Sequence, residues 1–249
     1  MKTIFLTSDF GAVEFKNNKM IPCAINNTNG LTDQLKECIT KKENFVFIAS
    51  NPDSYERTDG FATNIFESFK LSRIEFKNLI IVDNRNKDNI QQIINSASFV
   101  FICGGHVPTQ NEFITKIGLK EILTNYNGVI MGQSAGSMNL AKTVYNYPED
   151  LSEINDPKFL QGLGFTDISI IPHFNLKTGN EYVKENIDLM NDYLLKDSHT
   201  LPLYCIANNS HIKIDENGTN YYGDVYYIKN GNIKQISQSK HNKKYNKNK

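Results

Sequence analysis

A chain of 249 residues, 39% hydrophobic and 22% charged, carries enough apolar material for one large α/β core. Lys and Arg together match Asp and Glu at 27 each, which argues against nucleic acid or an anionic membrane surface as a partner. The four cysteines, Cys23, Cys38, Cys103 and Cys205, form no C-x-x-C or Cys/His pattern, so reduced thiols, a cytoplasmic setting, no metal and no cofactor are expected.

The N-terminal run Met1 to Asp9 is too short in apolar residues for a signal peptide and reads as a buried strand over Ile4–Thr7. No apolar stretch approaches a membrane span. Further continuous apolar runs follow at Phe45–Ala49, Leu79–Val82, Phe99–Cys103 and Val129–Met131, as expected of parallel strands covered on both faces. Between them, Leu31, Leu35, Cys38 and Ile39 share a helical face, and so do Phe61, Ile65, Phe66 and Phe69. Ile90, Ile93 and Ile94 mark a shorter helix, and Ile114, Ile117 and Ile122 another. This alternation predicts an α/β fold built on a doubly wound, mostly parallel sheet, with the loops that follow the strands gathered on one edge.

The segment Val144–Leu160, with Pro148 and Pro157, reads as an irregular loop. Thr166–Ile171 reads as a strand ending at Pro172-His173, and Tyr182–Leu195 as a helix. The last third predicts short strands at Leu201–Ile206, His211–Ile214, Tyr221–Ile228 and Ile233–Ile236. They are separated by Asn208-Asn209, Glu216-Asn217-Gly218 and Lys229-Asn230-Gly231-Asn232, the turn chemistry of C-terminal antiparallel hairpins. Residues 1–239 are read as a single hydrolytic domain, and 240–249 as a disordered, solvated basic tail.

The chemistry concentrates at Gly132-Gln133-Ser134-Ala135-Gly136, a G-x-S-x-G sequence between a buried-strand run and a helix-compatible segment. That setting is a nucleophile elbow: the serine sits at the apex of a sharp strand-to-helix turn, and the flanking glycines remove side chains that would collide. Ser134 is therefore the candidate nucleophile, with the Ala135 N–H as an oxyanion donor. Gly104-Gly105 follows a strand that ends on the same edge, so the Gly105 N–H is a second candidate donor, and Gly104 and His106 are candidate pocket residues. Among the five histidines, His173 stands at a strand end on that edge and is the candidate base. The third member, a group that fixes the imidazole tautomer, stays open among Glu149, Asp150, Glu153, Asp156 and Asn208.

With these residues in place, the chain resembles the dipeptidase E and cyanophycinase family of serine peptidases. The resemblance rests on Phe101-Ile102-Cys103-Gly104-Gly105, on Gly132-Gln133-Ser134-Ala135-Gly136, and on Gly162-Leu163-Gly164-Phe165 followed by Ile171-Pro172-His173-Phe174. It implies a class I glutamine amidotransferase-like (flavodoxin-like) fold, Ser134 as nucleophile, His173 as base, and Gly105 and Ala135 as oxyanion donors. His106 stands where the family commonly has Asn. The family's third triad carboxylate falls near Asn208, and an acidic residue after the nucleophile helix falls near Glu149.

The expected function is hydrolysis of small peptides through an acyl-enzyme, by a monomer or a homodimer. An α/β-hydrolase-type esterase and a non-catalytic peptide-binding member of the same fold are the alternatives. Some family members prefer an N-terminal aspartate, which needs a cation drawn from Arg57, Arg73, Arg85, a lysine or His106.

Overall fold

A computed structural model describes residues 2–17, 19–184 and 186–239; the basic tail expected over 240–249 lies outside them. In chain order the elements are β1 (Thr3–Thr7), β2 (Val13–Lys16), β3 (Lys19–Pro22), α1 (Leu31–Cys38), β4 (Asn44–Ile48) and α2 (Tyr55–Leu71). Next come β5 (Asn78–Val82), α3 (Ile90–Asn95), β6 (Ala97–Ile102), α4 (Val107–Lys116), α5 (Leu119–Thr124), β7 (Val129–Gln133) and α6 (Ala135–Asn139). The remainder comprises β8 (Thr143–Tyr145), β9 (Phe159–Gln161), β10 (Ser169–Ile171), a π-helical stretch (Leu189–Leu194) that runs into α7 (Leu195–Asp197), β11 (Leu203–Ile206), β12 (His211–Asp215), β13 (Gly218–Tyr222), β14 (Val225–Lys229) and β15 (Asn232–Ser237).

The central sheet has the order β13-β12-β1-β7-β6-β4-β5. Its five strands from β1 to β5 are parallel, and β12 and β13 add antiparallel at one edge. This is the predicted α/β fold with a mostly parallel sheet and extra antiparallel strands. The pleat sorts the apolar runs into two chemically distinct faces. Phe5, Phe45, Phe47, Phe99 and Phe101 point to one face, where they pack with Leu35 of α1 and with Ile65 and Phe69 of α2. The Phe45 and Phe99 rings lie 4.9 Å apart. Ile4, Leu6, Val46, Ile48, Val100, Ile102 and Ile130 point to the other face, toward Ile94 of α3, Phe113 and Ile114 of α4, and Leu119 and Leu123 of α5. Each fully buried ring or branched side chain contributes about 2 kcal/mol relative to exposure, which is why these runs become strands covered on both sides. The chain moves outward from β4 to β5, then returns to β6 on the far side of β4, so the β4/β6 boundary is the switch point where a crevice opens at the strand ends.

A second sheet, β10-β11-β14-β15, stands beside the first. Asn208-Asn209 is not a hairpin turn, because β11 belongs to this second sheet and β12 to the central one. The Asn217-Gly218 and Asn230-Gly231 turns do close hairpins, β12–β13 and β14–β15. The run expected as one strand over Tyr221–Ile228 is divided into β13 and β14. Gly223 takes φ +82° there, and Asp224 N–H is held by Ser210 Oγ at 2.8 Å, turning the chain from one sheet to the other.

Three further expectations change. The helix expected over Tyr182–Leu195 begins only at Leu189. Over the preceding residues the Ile187 N–H donates to Lys184 O, a tight turn in place of an i→i−4 bond, and the Asp188 side chain caps the later start by accepting from the Asn191 N–H. The irregular segment after Val144 is bounded by a short ladder, β8 against β9. The run expected as a helix around Ile114, Ile117 and Ile122 is two helices, divided at Gly118, whose φ of +63° breaks the first and starts the second. The β2–β3 hairpin, by contrast, has no counterpart in the sequence reading.

Candidate active site

Ser134 follows the last residue of β7 and precedes α6, with φ 48° and ψ −114°, a positive-φ conformation that non-glycine residues rarely adopt. The surrounding backbone holds it there. Ser134 N–H donates to Thr7 O at 2.9 Å, while Ser137 Oγ accepts from Thr7 N–H and lies within hydrogen-bond reach of the Thr7 and Gly132 carbonyls. The two motif glycines are sterically required. A Cβ on Gly132 would meet the Ser137 backbone, and one on Gly136 would overlap the Ile102 carbonyl of β6.

His173 lies 39 residues later, just past β10, also at positive φ (53°). Its Nε2 is 2.9 Å from Ser134 Oγ. Its Nδ1 is 2.8 Å from Asn208 Oδ1, at the end of β11. Its backbone N–H donates to Ser8 Oγ at 2.7 Å. The Tyr182 ring meets the imidazole edge-on with centroids 4.6 Å apart. Burial holds the imidazole below the ordinary histidine value of 6.5, against the opposing pull of the Asn208 hydrogen bond and the charges of Asp9 and Glu181. A neutral imidazole with a free lone pair on Nε2 is the form that accepts a proton from a serine hydroxyl.

The structure thus brings together Ser134, His173 and Asn208. It does not bring Glu149 to them: His173 Nδ1 is taken by Asn208, with Ser8 Oγ at 3.3 Å. Glu149 instead lines a small recess with His106, Tyr147 and Glu153, where burial first and the Glu153 charge second push its carboxyl upward. Asp150 is drawn off by Lys184, with Nζ 2.5 Å from Oδ2, which holds its carboxyl well below the usual range. The physical reason is the route of the loop after β8, which carries Glu149 to the N-terminus of α4 and Asp150 to Lys184.

Gly104 lies against Gln133 and Ser134, which brings the Gly104-Gly105 loop beside the candidate nucleophile. Among the described residues, neither the Gly105 nor the Ala135 N–H donates to a protein acceptor. His106 caps α4, its Nδ1 2.7 Å from Thr109 Oγ1. Next to the Gly104-Gly105 loop, at the switch point, a cavity of about 370 Å³ is walled by Phe47 and Phe61 and reaches Ser50, Arg57 and His106. Cys103 also lines it, but burial pushes its thiol up to about 12, so it offers no competing thiolate. Sequence reasoning missed Ser8 and Glu181; both lie outside any motif, and only their approach to His173 and Asn208 marks them.

A serine in a strained elbow, hydrogen-bonded to a neutral imidazole at the carboxyl edge of a parallel sheet, defines a serine hydrolase. The model of peptidase family S51 matches residues 24–221, and the chain belongs to that family of serine peptidases. No curated protein sequence matches significantly. Two similar solved structures share the fold. One is a peptidase from an acI-B1 Actinobacterium, with TM-score 0.64 and 16% identity, covering 96% of this chain and 95% of that one. The other is a putative peptidase E protein from Listeria monocytogenes EGD-e, with TM-score 0.60 and 17% identity, covering 95% of this chain and 100% of that one. Among the described residues no helix is long and apolar enough to cross a membrane.

Proposed function

We propose that this serine peptidase cleaves short peptides, in the manner of a dipeptidase E, through an acyl-enzyme on Ser134. The observation that carries the reading is the 2.9 Å approach of His173 Nε2 to Ser134 Oγ. Ser134 Oγ attacks the scissile carbonyl carbon while His173 Nε2 takes its proton. The resulting oxyanion is received by the N–H groups of Gly105 and Ala135. The C–N bond then breaks as His173 returns the proton to the leaving amine. Water then attacks the ester carbonyl carbon as His173 Nε2 takes a proton from it; the C–O bond to Ser134 breaks, the acid product leaves, and His173 passes that proton to Ser134 Oγ. Asn208 holds His173 in the tautomer protonated on Nδ1, with less stabilisation of the imidazolium than a carboxylate in its place would give.

The cavity supplies the substrate reading. Arg85 is bound by Asp59 and Asp83. Arg57, on the cavity wall, has no carboxylate partner among the described residues. A peptide with an acidic residue before the scissile bond would set its carboxylate against that guanidinium.

A fluorophosphonate probe is expected to label the wild-type protein and not Ser134→Ala; a folded wild type that stays unlabelled rules the reading out. In a dipeptide series with varied first residue, Asp-X is expected to be cleaved fastest, and Arg57→Gln to erase that preference while sparing slow cleavage of neutral dipeptides.

A further inference from the structure

His173 does not end its chain of contacts at Asn208. Asn208 Nδ2 donates to Glu181 Oε2 at 2.8 Å. Glu181 is fixed beside the histidine through its own backbone, its N–H donating to His173 O at 3.1 Å. The intervening loop is closed by Asn180, which is buried and donates to the Tyr147 hydroxyl at 2.8 Å and to Pro172 O at 2.9 Å. Ser8 completes the circuit. Its hydroxyl oxygen accepts from His173 N–H at 2.7 Å, so its single proton goes to Asn208 Oδ1, 2.9 Å away.

These contacts fix which way the Asn208 amide faces. A carboxylate has only acceptors, so Glu181 takes the NH2 end. The Ser8 proton takes the carbonyl end. Asn208 therefore presents Oδ1 to His173 Nδ1, which must carry the proton, leaving Nε2 bare toward Ser134. A flipped amide would offer an N–H to Nδ1 and drive the proton to Nε2, where it blocks the base.

We infer that Glu181 is a positioning residue of the active site: through Asn208 it fixes the tautomer of His173 and supplies the negative charge that a triad carboxylate would carry. The inference rests on the reading of Ser134 and His173 given above. The two functions of Glu181 are separable. A glutamine in its place keeps an oxygen that accepts from Asn208 and removes the charge, whereas a leucine removes both.

The test is the rate of Ser134 labelling by a fluorophosphonate, followed against pH in the full chain. Glu181 is exposed and acts two hydrogen bonds away, so its charge is screened. Glu181→Gln is expected to slow labelling about fivefold. It should also move the acid limb to lower pH, since a lost anion makes the imidazole harder to protonate. The other charge raising that ionisation, Asp9, is untouched by the substitution, as is the Tyr182 ring packed on the imidazole. Glu181→Leu is expected to slow labelling about thirtyfold, the further loss coming from the freed amide. The double variant Asn208→Asp/Glu181→Gln places a carboxylate directly on Nδ1, with the new amide at position 181 donating to it. It is expected to recover the Glu181→Gln loss and restore the acid limb. Labelling of Glu181→Gln at the wild-type rate and pH dependence would overturn the inference, as would a double variant no faster than Glu181→Gln. A folded wild type that does not label at all defeats the underlying reading instead, so the two failures are distinct.

Discussion

The two halves of the candidate site are held by different means. The nucleophile half is a backbone construction: β7, a glycine-flanked elbow and α6, stitched to β1 by Thr7 and Ser137. The base half is a side-chain construction. His173 follows a three-residue strand, and its surroundings are an irregular loop cross-linked by Ser8, Asn180, Asn208 and Glu181. A backbone device tolerates no change of shape but depends on few side chains. A side-chain network tolerates shape changes better and loses function in graded steps as its members are removed.

Substitutions should separate the halves, beginning with the largest effect. His173→Ala removes the proposed base and is expected to lower kcat by about 10^4-fold while leaving the thermal midpoint near wild type; steady-state kinetics beside a melting curve would show it, and a tenfold loss or less would break the assignment. Gly136→Ala acts on the other half. Its methyl group would overlap the Ile102 carbonyl, so it is expected to destabilise the fold by about 4 kcal/mol, the upper range of over-packing, as read by urea unfolding. A stable, active Gly136→Ala would mean the elbow is less constrained than its geometry indicates.

The pH dependence sharpens the contrast through two histidines, His173, half-buried, and His211, buried. His173 has partners on both ring nitrogens and is held below 6.5. In the proposed mechanism the neutral imidazole is the working form, so kcat/KM is expected to be flat at alkaline pH and to fall only below the ordinary histidine range. His211, in β12 opposite Thr7, stacks on Tyr222 and uses Nε2 on Gln34, while its buried Nδ1 has no partner among the described residues. Burial, helped by Lys213, takes it down to about 3. The unfolded chain therefore binds a proton there that the folded chain refuses. Stability from this group is complete above pH 6.5 and is lost as pH falls from 6.5 toward 3, by about 3 kcal/mol at pH 4. Urea midpoints measured from pH 7 to 4 should fall in wild type and flatten in His211→Gln. A smaller effect than these belongs to Ser8→Ala, expected to reduce kcat about tenfold by freeing the His173 backbone and the Asn208 carbonyl together. Unchanged kinetics there would show that Asn208 needs no second anchor.

Legibility follows the same division. The elbow is readable because its geometry demands particular residues in consecutive positions: Gly132 and Gly136 for steric reasons, with a buried strand before them. His173 is readable as a strand-end histidine on the correct edge. Glu149, Asp150 and Asn208 all stay open as partners in the sequence, and only the path of the loop after β8, which carries Glu149 into the recess beside His106 and Asp150 to Lys184, separates them. Glu181 was hidden beside a segment whose apolar spacing at Val183, Ile187, Met190 and Leu194 reads as helix. Its backbone is instead spent on His173.

The parallel sheet follows from the order of amino acids alone, because alternating phenylalanine and aliphatic runs must bury both of their faces. So does the candidate nucleophile, because the elbow's sterics are local. What stands behind His173, and which cation faces the cavity, was set only by folding. Ser8, Asn208, Glu181 and Arg57 reach their places from four separate parts of the chain, and no local pattern records an approach made only when the strands align.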